Sequence, residues 1–281
     1  VSTLIVQHPH LESQAVAAFS SLVGRPPDSL RQTMAIWRGV EICGAKLDQV
    51  TKKLEVDAEI VAPGLRLRDF RLAAFDMDST LITIECVDEI ADYAGRKAEV
   101  ASITEAAMRG EISDYDESLR RRVALLAGLP DTVLERVWEE RVRLSPGAMR
   151  LLRAMKSEGL QLLLVSGGFS FFTEKLARRL GIEHVRSNRL EVVGGRLTGR
   201  LTGGIVNARV KRETLVKTAQ RIGCALGQTI AVGDGANDLE MMSVAGLSVA
   251  YRAKPLVRDE TTHSISYCGL DSLLNLFDDT R

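Results

Sequence analysis

The chain has no Cys-x-x-Cys pair, no surplus of either charge and few aromatic residues, and each absence removes a class of function. Its four cysteines, Cys43, Cys86, Cys224 and Cys268, stand apart from one another and from any histidine cluster. Neither a zinc site nor a disulfide scaffold is expected, and a reducing, cytoplasmic setting fits. Thirty-seven basic residues balance 37 acidic ones, and aromatics, at 5% of the chain, are not interleaved with any dense Lys/Arg tract. Nucleic acid is therefore not an expected partner. The opening Val1-Ser2-Thr3-Leu4-Ile5-Val6-Gln7 lacks a basic segment and a long apolar core. No run approaches the ~20 apolar residues of a membrane span, so neither secretion nor membrane insertion is expected.

What is present suits a globular protein with 45% hydrophobic and 26% charged residues. A chain of 281 residues can form one large or two modest domains. Residues 1–65 read as a small α+β module: strand 3–6, helix 12–23 stopped by Gly24 and Pro26-Pro27, strand 34–38, helix 47–54 and strand 58–61. That order can build a ferredoxin-like unit. His8-Pro9-His10 lacks a third ligand and reads as a loop. Ala62-Pro63-Gly64-Leu65 is the expected linker to the remainder, 66–281.

From Leu72 onward strands and helices alternate, which predicts an α/β fold with a doubly wound parallel sheet. Residues 85–143 depart from this, with four helical patterns (87–93, 98–108, 115–126 and 132–141) and no convincing strand. An all-helical insertion at that point is placed to act as a lid, or cap. Ser145-Pro146-Gly147 predicts a helix with proline near its first turn. Strand 160–165 follows, and residues 189–199 read as a hairpin turning at Gly194-Gly195.

Three apolar runs end in polar, chemically capable tips. Leu72-Ala73-Ala74-Phe75 delivers Asp76-Met77-Asp78-Ser79-Thr80, Leu162-Leu163-Leu164-Val165 delivers Ser166-Gly167-Gly168, and Ile230-Ala231-Val232 delivers Gly233-Asp234-Gly235-Ala236-Asn237-Asp238. Open α/β sheets bind ligands at such strand ends. Two acids buried together call for a cation, and Asp76 and Asp234 offer the hard oxygen ligands that suit Mg²⁺. Lys211, alone on Ala208-Arg209-Val210-Lys211-Arg212, reads as surface solvation unless the fold brings it to the acids.

In this order, Asp-x-Asp-x-Thr, a serine at a strand end, a lysine and Gly-Asp-Gly-x-Asn-Asp resemble the haloacid dehalogenase-like hydrolase superfamily. Within it, Asp78-Ser79-Thr80-Leu81-Ile82 with Glu85, Ser118-Leu119-Arg120-Arg121-Arg122-Val123, Val165-Ser166-Gly167-Gly168-Phe169 and Val232 to Asp238 resemble the phosphoserine phosphatases. The resemblance covers roughly Leu72 to the C-terminus. The N-terminal module more weakly resembles the regulatory-type, ACT-like extension of longer bacterial members.

The resemblance implies a Mg²⁺-dependent hydrolase of O-phospho-L-serine, a small-molecule substrate, completing serine synthesis. Asp76 would be the nucleophile forming an aspartyl-phosphate, and Asp78 the general acid/base. Asp76, Asp234 and the main-chain carbonyl of Asp78 would hold the metal. Ser166, Gly167, Lys211 and Asn237 would bind substrate, with Asp238 pairing with Lys211 or orienting metal-bound water. An ion-pumping relative would have lysine in place of the residue after the nucleophile and no acid at Asp78.

Phosphoserine also carries an ammonium and a carboxylate, for which Glu85 and Arg122 are the expected partners. Leu119, Val123 and Leu126 form the apolar stripe of their helix, and Arg122 sits on its border while Arg120 and Arg121 point away. Met108 is a candidate to close over the substrate methylene, with core packing the alternative. Another small phosphomonoester, such as phosphothreonine or homoserine phosphate, would use the same centre with a different cap pocket, in hydrolysis or phosphoryl transfer. A ligand sensor or dimerisation protein is the other class, and the intact acids argue against a dead enzyme; a homodimer is a candidate assembly of the enzyme.

Overall fold

The computed structural model describes residues 2–42, 44–108, 111–112 and 114–281; Cys43, Gly110 and the Met108 side chain lie outside what is described. The N-terminal part runs β1 (Ser2–Gln7), α1 (Ser13–Val23), β2 (Ser29–Arg31), β3 (Met34–Val40), α2 (Gly44–Leu54) and β4 (Asp57–Val61), with its strands in the antiparallel order β2-β3-β1-β4. Period-two alternation gives this sheet two apolar faces. Leu4, Val6, Ala35 and Trp37 pack with Phe19 of α1, whereas Ile5, Met34, Ile36 and Val61 join the main core. The three-residue, mostly exposed β2 carried no sequence signal.

This module is bound to the rest by carboxylates on its edge strand. Asp57 accepts backbone N–H bonds from Ser266, Tyr267 and Cys268 at 2.7, 3.1 and 2.9 Å. Glu59 accepts from the Ser264 N–H and meets His263 Nδ1, both at 2.8 Å. The expected linker is pinned too, because Asp278 accepts from the Gly64 N–H at 2.8 Å.

The larger part comprises β5 (Leu72–Phe75), α3 (Cys86–Asp92), α4 (Lys97–Met108), α5 (Tyr115–Ala124), α6 (Thr132–Glu140), α7 (Ala148–Ser157), β6 (Gln161–Phe169), α8 (Ser170–Leu180), β7 (His184–Val193), β8 (Arg196–Thr202), α9 (Ala208–Ile222), β9 (Thr229–Gly233), α10 (Leu239–Met242), β10 (Leu247–Tyr251), α11 (Pro255–Asp259) and β11 (His263–Ile265). Its seven-stranded sheet has the order β11-β10-β9-β5-β6-β7-β8, parallel except for the β7/β8 hairpin. β5 is central and buried on both faces: Ala73 and Phe75 face one core cluster, Leu72 and Ala74 the other. The chain leaves β5 toward β6 and returns on its other side as β9, so the strand order reverses at β5 and the crevice opens at its C-terminal end.

Helices α3–α6 leave and re-enter through a narrow neck, where Thr83 N–H donates to Arg143 O at 3.0 Å and Ser145 N–H to Leu81 O at 2.9 Å. Two sequence readings need adjustment. α7 begins after Gly147, so Pro146 lies outside its first turn. Gly147 has φ 78°, and a Cβ there would stand 2.6 Å from the Asp271 backbone nitrogen. The proline is spent on the entry loop, where its carbonyl accepts from Leu270 N–H at 2.7 Å. β6 also runs four residues past Val165, because the chain stays extended to Phe169, which pairs with Asn188 of β7.

Candidate active site

Three adjacent strand ends bring the sequence-singled residues together. Asp76 continues β5, its N–H donating to Val232 O at 3.0 Å, so Asp76 and the loop after β9 are held side by side. The wide turn over Met77–Leu81 places Ser79 at φ 55°, a left-handed conformation that reverses the chain within the motif. Ser79 Oγ donates to Glu85 Oε1 at 2.6 Å, and Thr80 Oγ1 donates to Asp234 Oδ1 at 3.0 Å, tying the first acidic motif to the cap's entry and to the last motif. Packing is tight at the β6 tip: a Cβ on Gly168 would lie 2.8 Å from Asp78 Oδ2 and 2.7 Å from Met77 Cε, so these side chains would have to move.

Lys211 is fully buried, not a solvated surface lysine. Asn207 caps α9 by accepting from the Val210 N–H at 3.1 Å, which fixes the turn that carries the lysine inward. Lys211 Nζ donates to Asp238 Oδ1 at 2.7 Å and lies 2.8 Å from Asp76 Oδ1. The latter is an ion pair without hydrogen-bond alignment, and among the described residues neither Asp76 Oδ1 nor the buried Asp78 Oδ1 has a hydrogen-bond partner. Burial works to lower the Lys211 pKa, but Asp238 and Asp76 outweigh it and the ammonium is held above its ordinary value.

The carboxylates outnumber this one cation. Carboxylate oxygens of Asp76, Asp234 and Asp238 all lie within 4.8 Å of one another. Asp238 is engaged at both oxygens, by Lys211 and by the Gly235 N–H at 3.1 Å, leaving Asp76 and Asp234 as the acids with ligand capacity. Burial, then the charges of Asp76 and Asp238, push Asp234 up to about 8. Asp238 rises only to about 6, because Lys211 offsets part of its burial. Asp78 is raised well above the ordinary range by burial and by Glu85, and Glu85 is raised by its own burial. Asp76, whose Oδ1 has an ion pair to Lys211 but no hydrogen bond, together with an Asp234 carboxyl pushed up by burial and by neighbouring acids, fits a divalent cation, which would restore the charge balance. The Asp78 carboxylate is not one of this trio; its expected ligand atom is the main-chain carbonyl.

This electrostatic strain has a measurable consequence. Metal-free and folded, Asp234 keeps a proton that the unfolded chain releases near its ordinary value of 3.8. The folded state then binds more protons than the unfolded one between that value and about 8, so this group's contribution to stability is full below the window and lost as pH rises through it. Thermal melts in EDTA are expected to fall across that window, and melts with Mg²⁺ to fall less, since the cation favours the ionised carboxylate. Parallel profiles in the two conditions would contradict a cation site at Asp234.

A cavity of about 150 Å³ lies over these strand ends, lined by Asp76, Asp78, Ser166, Gly167, Asp234 and Asn237 from the core and by Glu85, Tyr115, Leu119 and Arg122 from the cap side. Asn188 holds the β6 tip from behind, its Nδ2 donating to Gly167 O at 2.7 Å while its Oδ1 accepts from Val206 N–H at 2.8 Å. The Ser166 hydroxyl accepts from Gly168 N–H at 2.9 Å. The cap is seated on the core near α9 as well, through Asn207 Nδ2 donating to Asp116 at 3.0 Å.

Residues 73–243 match the haloacid dehalogenase-like hydrolase family. The chain belongs to this family. It is 58% identical over 221 residues to the phosphoserine phosphatase of Polaromonas sp., covering 77% of this chain and 94% of that protein. The crystal structure of a HAD-family hydrolase from Salmonella enterica serovar Typhi superposes with a TM-score of 0.89 at 33% identity, and the alignment covers 100% of both chains, N-terminal module included. A substrate-bound phosphoserine phosphatase complex matches with a TM-score of 0.70 at 38% identity over 74% of this chain and 99% of that one. Family members of the phosphatase type generally use a metal, and the acidic trio can hold one.

The structure thus gathers all ten residues singled out in the sequence at or beside one cavity: eight of them line it, and Lys211 and Asp238 pair beneath. Sequence reasoning did not single out Tyr115, and it gave Thr80 no role beyond its place in the Asp-x-Asp-x-Thr motif. Tyr115, Leu119 and Arg122 fall at i, i+4 and i+7 on α5, a second stripe overlapping the apolar one, and that spacing could have found the tyrosine.

Proposed function

We propose that the chain is a Mg²⁺-dependent phosphoserine phosphatase, hydrolysing O-phospho-L-serine to L-serine and phosphate. The observation that carries this reading is the combination, in one small cavity, of a Lys211-paired acid centre with Glu85 and Arg122 on the cap side. The first can handle a phosphomonoester, and the second supplies an acid for an ammonium and a guanidinium for a carboxylate. The similarity to relatives that bear this name supports the same assignment.

On this reading Asp76 attacks phosphorus, the phosphorus–oxygen bond to serine breaks, and an aspartyl-phosphate forms on Asp76. Asp78, whose buried carboxyl favours the protonated form, donates its proton to the departing serine oxygen. The resulting Asp78 carboxylate then takes a proton from the water that hydrolyses the acyl phosphate. Lys211, the Ser166 hydroxyl and the Gly167 N–H bind the phosphoryl oxygens, with α8 starting just beyond the β6 tip. Asp238 holds Lys211 in place. Mg²⁺, held by Asp76, Asp234 and the Asp78 carbonyl, would supply Lewis-acid charge to offset the phosphate dianion.

The same reading divides the chain near residue 65, with the cap at 85–143 as the specificity element. Free thiols at Cys86, Cys224 and Cys268 suit a reducing cytoplasm. A panel of phosphoserine, phosphothreonine, phosphoethanolamine and sugar phosphates, scored by Mg²⁺-dependent phosphate release, tests the substrate. Phosphoserine is expected to lead, and sugar phosphates winning would overturn the assignment. Arg122→Ala is expected to reduce kcat/KM for phosphoserine by about 10²-fold, the scale of a lost charge-assisted bond, while affecting an aryl phosphate far less. Equal losses on both would remove Arg122 from carboxylate binding.

A further inference from the structure

Tyr115 opens α5 on the cap, yet its hydroxyl reaches across to the core. A Cβ built on Gly167 would stand 2.1 Å from Tyr115 Oη, so the phenol oxygen occupies the space that a side chain at 167 would take. Gly167 has no positive φ that would by itself require glycine, so the close approach of the phenol oxygen is the steric constraint seen at this position. Tyr115 also lines the reaction cavity beside Arg122 and Ser166. The charges acting on its hydroxyl are those of the reaction centre: Lys211 and Arg122 in one direction, Asp76 and Asp238 in the other.

We propose that the Tyr115 hydroxyl is a substrate-binding group that donates a hydrogen bond to the phosphoryl oxygen seated at Gly167, closing the phosphate site from the cap side. This deepens the phosphatase reading and rests on it. The anionic phosphoryl group supplies an acceptor where the hydroxyl already points, and burial pushes the phenol up to about 12, so it retains its proton at neutral pH. A donor carried by the cap also makes the phosphate site complete only when the cap is seated, as it is here through Asp116 and Asn207.

The role separates Tyr115 from Arg122. A phosphoryl donor serves every phosphomonoester, whereas a carboxylate-binding arginine serves phosphoserine alone. Tyr115→Phe keeps the ring and removes one oxygen. The variant is expected to lose about 10- to 100-fold in kcat/KM on phosphoserine and on p-nitrophenyl phosphate alike, the range for a hydrogen bond to a charged group. Inorganic phosphate, titrated calorimetrically in the presence of Mg²⁺, is expected to bind more weakly by a similar factor. Unchanged phosphate binding, or a loss confined to phosphoserine, would overturn the proposal. If the wild-type chain left phosphoserine untouched, the phosphatase reading would fall, while the phosphate titration would still decide the place of the hydroxyl.

Discussion

Asp76→Asn is expected to reduce phosphoserine turnover by at least about 10⁴-fold, the scale on which enzymes lose rate when the nucleophile of a covalent pathway is removed. The amide nitrogen cannot attack phosphorus, and the substitution also withdraws one of two acids free to ligate a cation. The fold should survive, because the change is nearly isosteric and removes a charge from a site where carboxylate oxygens crowd within 4.8 Å. Relief of that repulsion is expected to lower the pKa of Asp234, so the metal-free variant should lose less stability with rising pH than the parent. Retention of more than about one per cent of the parent activity would argue for a pathway without covalent attack by this residue.

Lys211→Met is expected to damage both activity and stability. The ammonium is fully buried and stands 2.7 Å from Asp238 and 2.8 Å from Asp76, so its removal leaves two carboxylates in a low-dielectric interior without their cation. Breaking one side of such a buried ion pair costs about 3–5 kcal/mol. For a chain of this size that corresponds to a fall in Tm of roughly 10 °C. Loss of a fixed charge at the phosphoryl group should cost a further ~10²–10³-fold in kcat. Lys211→Met combined with Asp238→Leu removes the uncompensated acid and is expected to recover part of the stability without the activity. A single variant as stable as the parent would show that the surrounding acids take up protons at little cost, and a double variant that also regained activity would detach Lys211 from catalysis.

These effects were partly legible before the fold. Asp76, Ser166 and Asp234 each follow a run of apolar residues in the sequence, and strands buried on both faces leave little else such runs can be. Helix periodicity separated Arg122 from Arg120 and Arg121, and in the structure Arg122 lines the cavity while Arg121 pairs with Glu117 at the surface, 2.7 Å away. Lys211 was different: nothing local marks it, and its burial follows from how α9 packs against Asp238, 27 residues away. Of the two readings of Asp238, the pairing with Lys211 is likewise a long-range contact, seen at 2.7 Å.

What was missed shares that cause. The binding of Asp57 and Glu59 to backbone groups of residues 264–268 spans more than 200 positions, so no local signal shows that the N-terminal module packs on the sheet's β11 edge. Tyr115 was missed because an aromatic in the first turn of a helix reads as core; its i, i+4, i+7 spacing with Leu119 and Arg122 was the available signal, and the fold adds its place in the cavity wall against Gly167.

The account rests on covalent attack by Asp76, and one measurement addresses it directly. The purified chain, mixed with Mg²⁺ and O-phospho-L-serine and quenched in acid within the first turnovers, can be digested and its phosphorylated peptide mapped by mass spectrometry. A hydroxylamine-sensitive acyl phosphate on Asp76, absent from Asp76→Asn, is the predicted result. Serine and phosphate released with no phosphorylated Asp76, or phosphate carried by another residue, would contradict it.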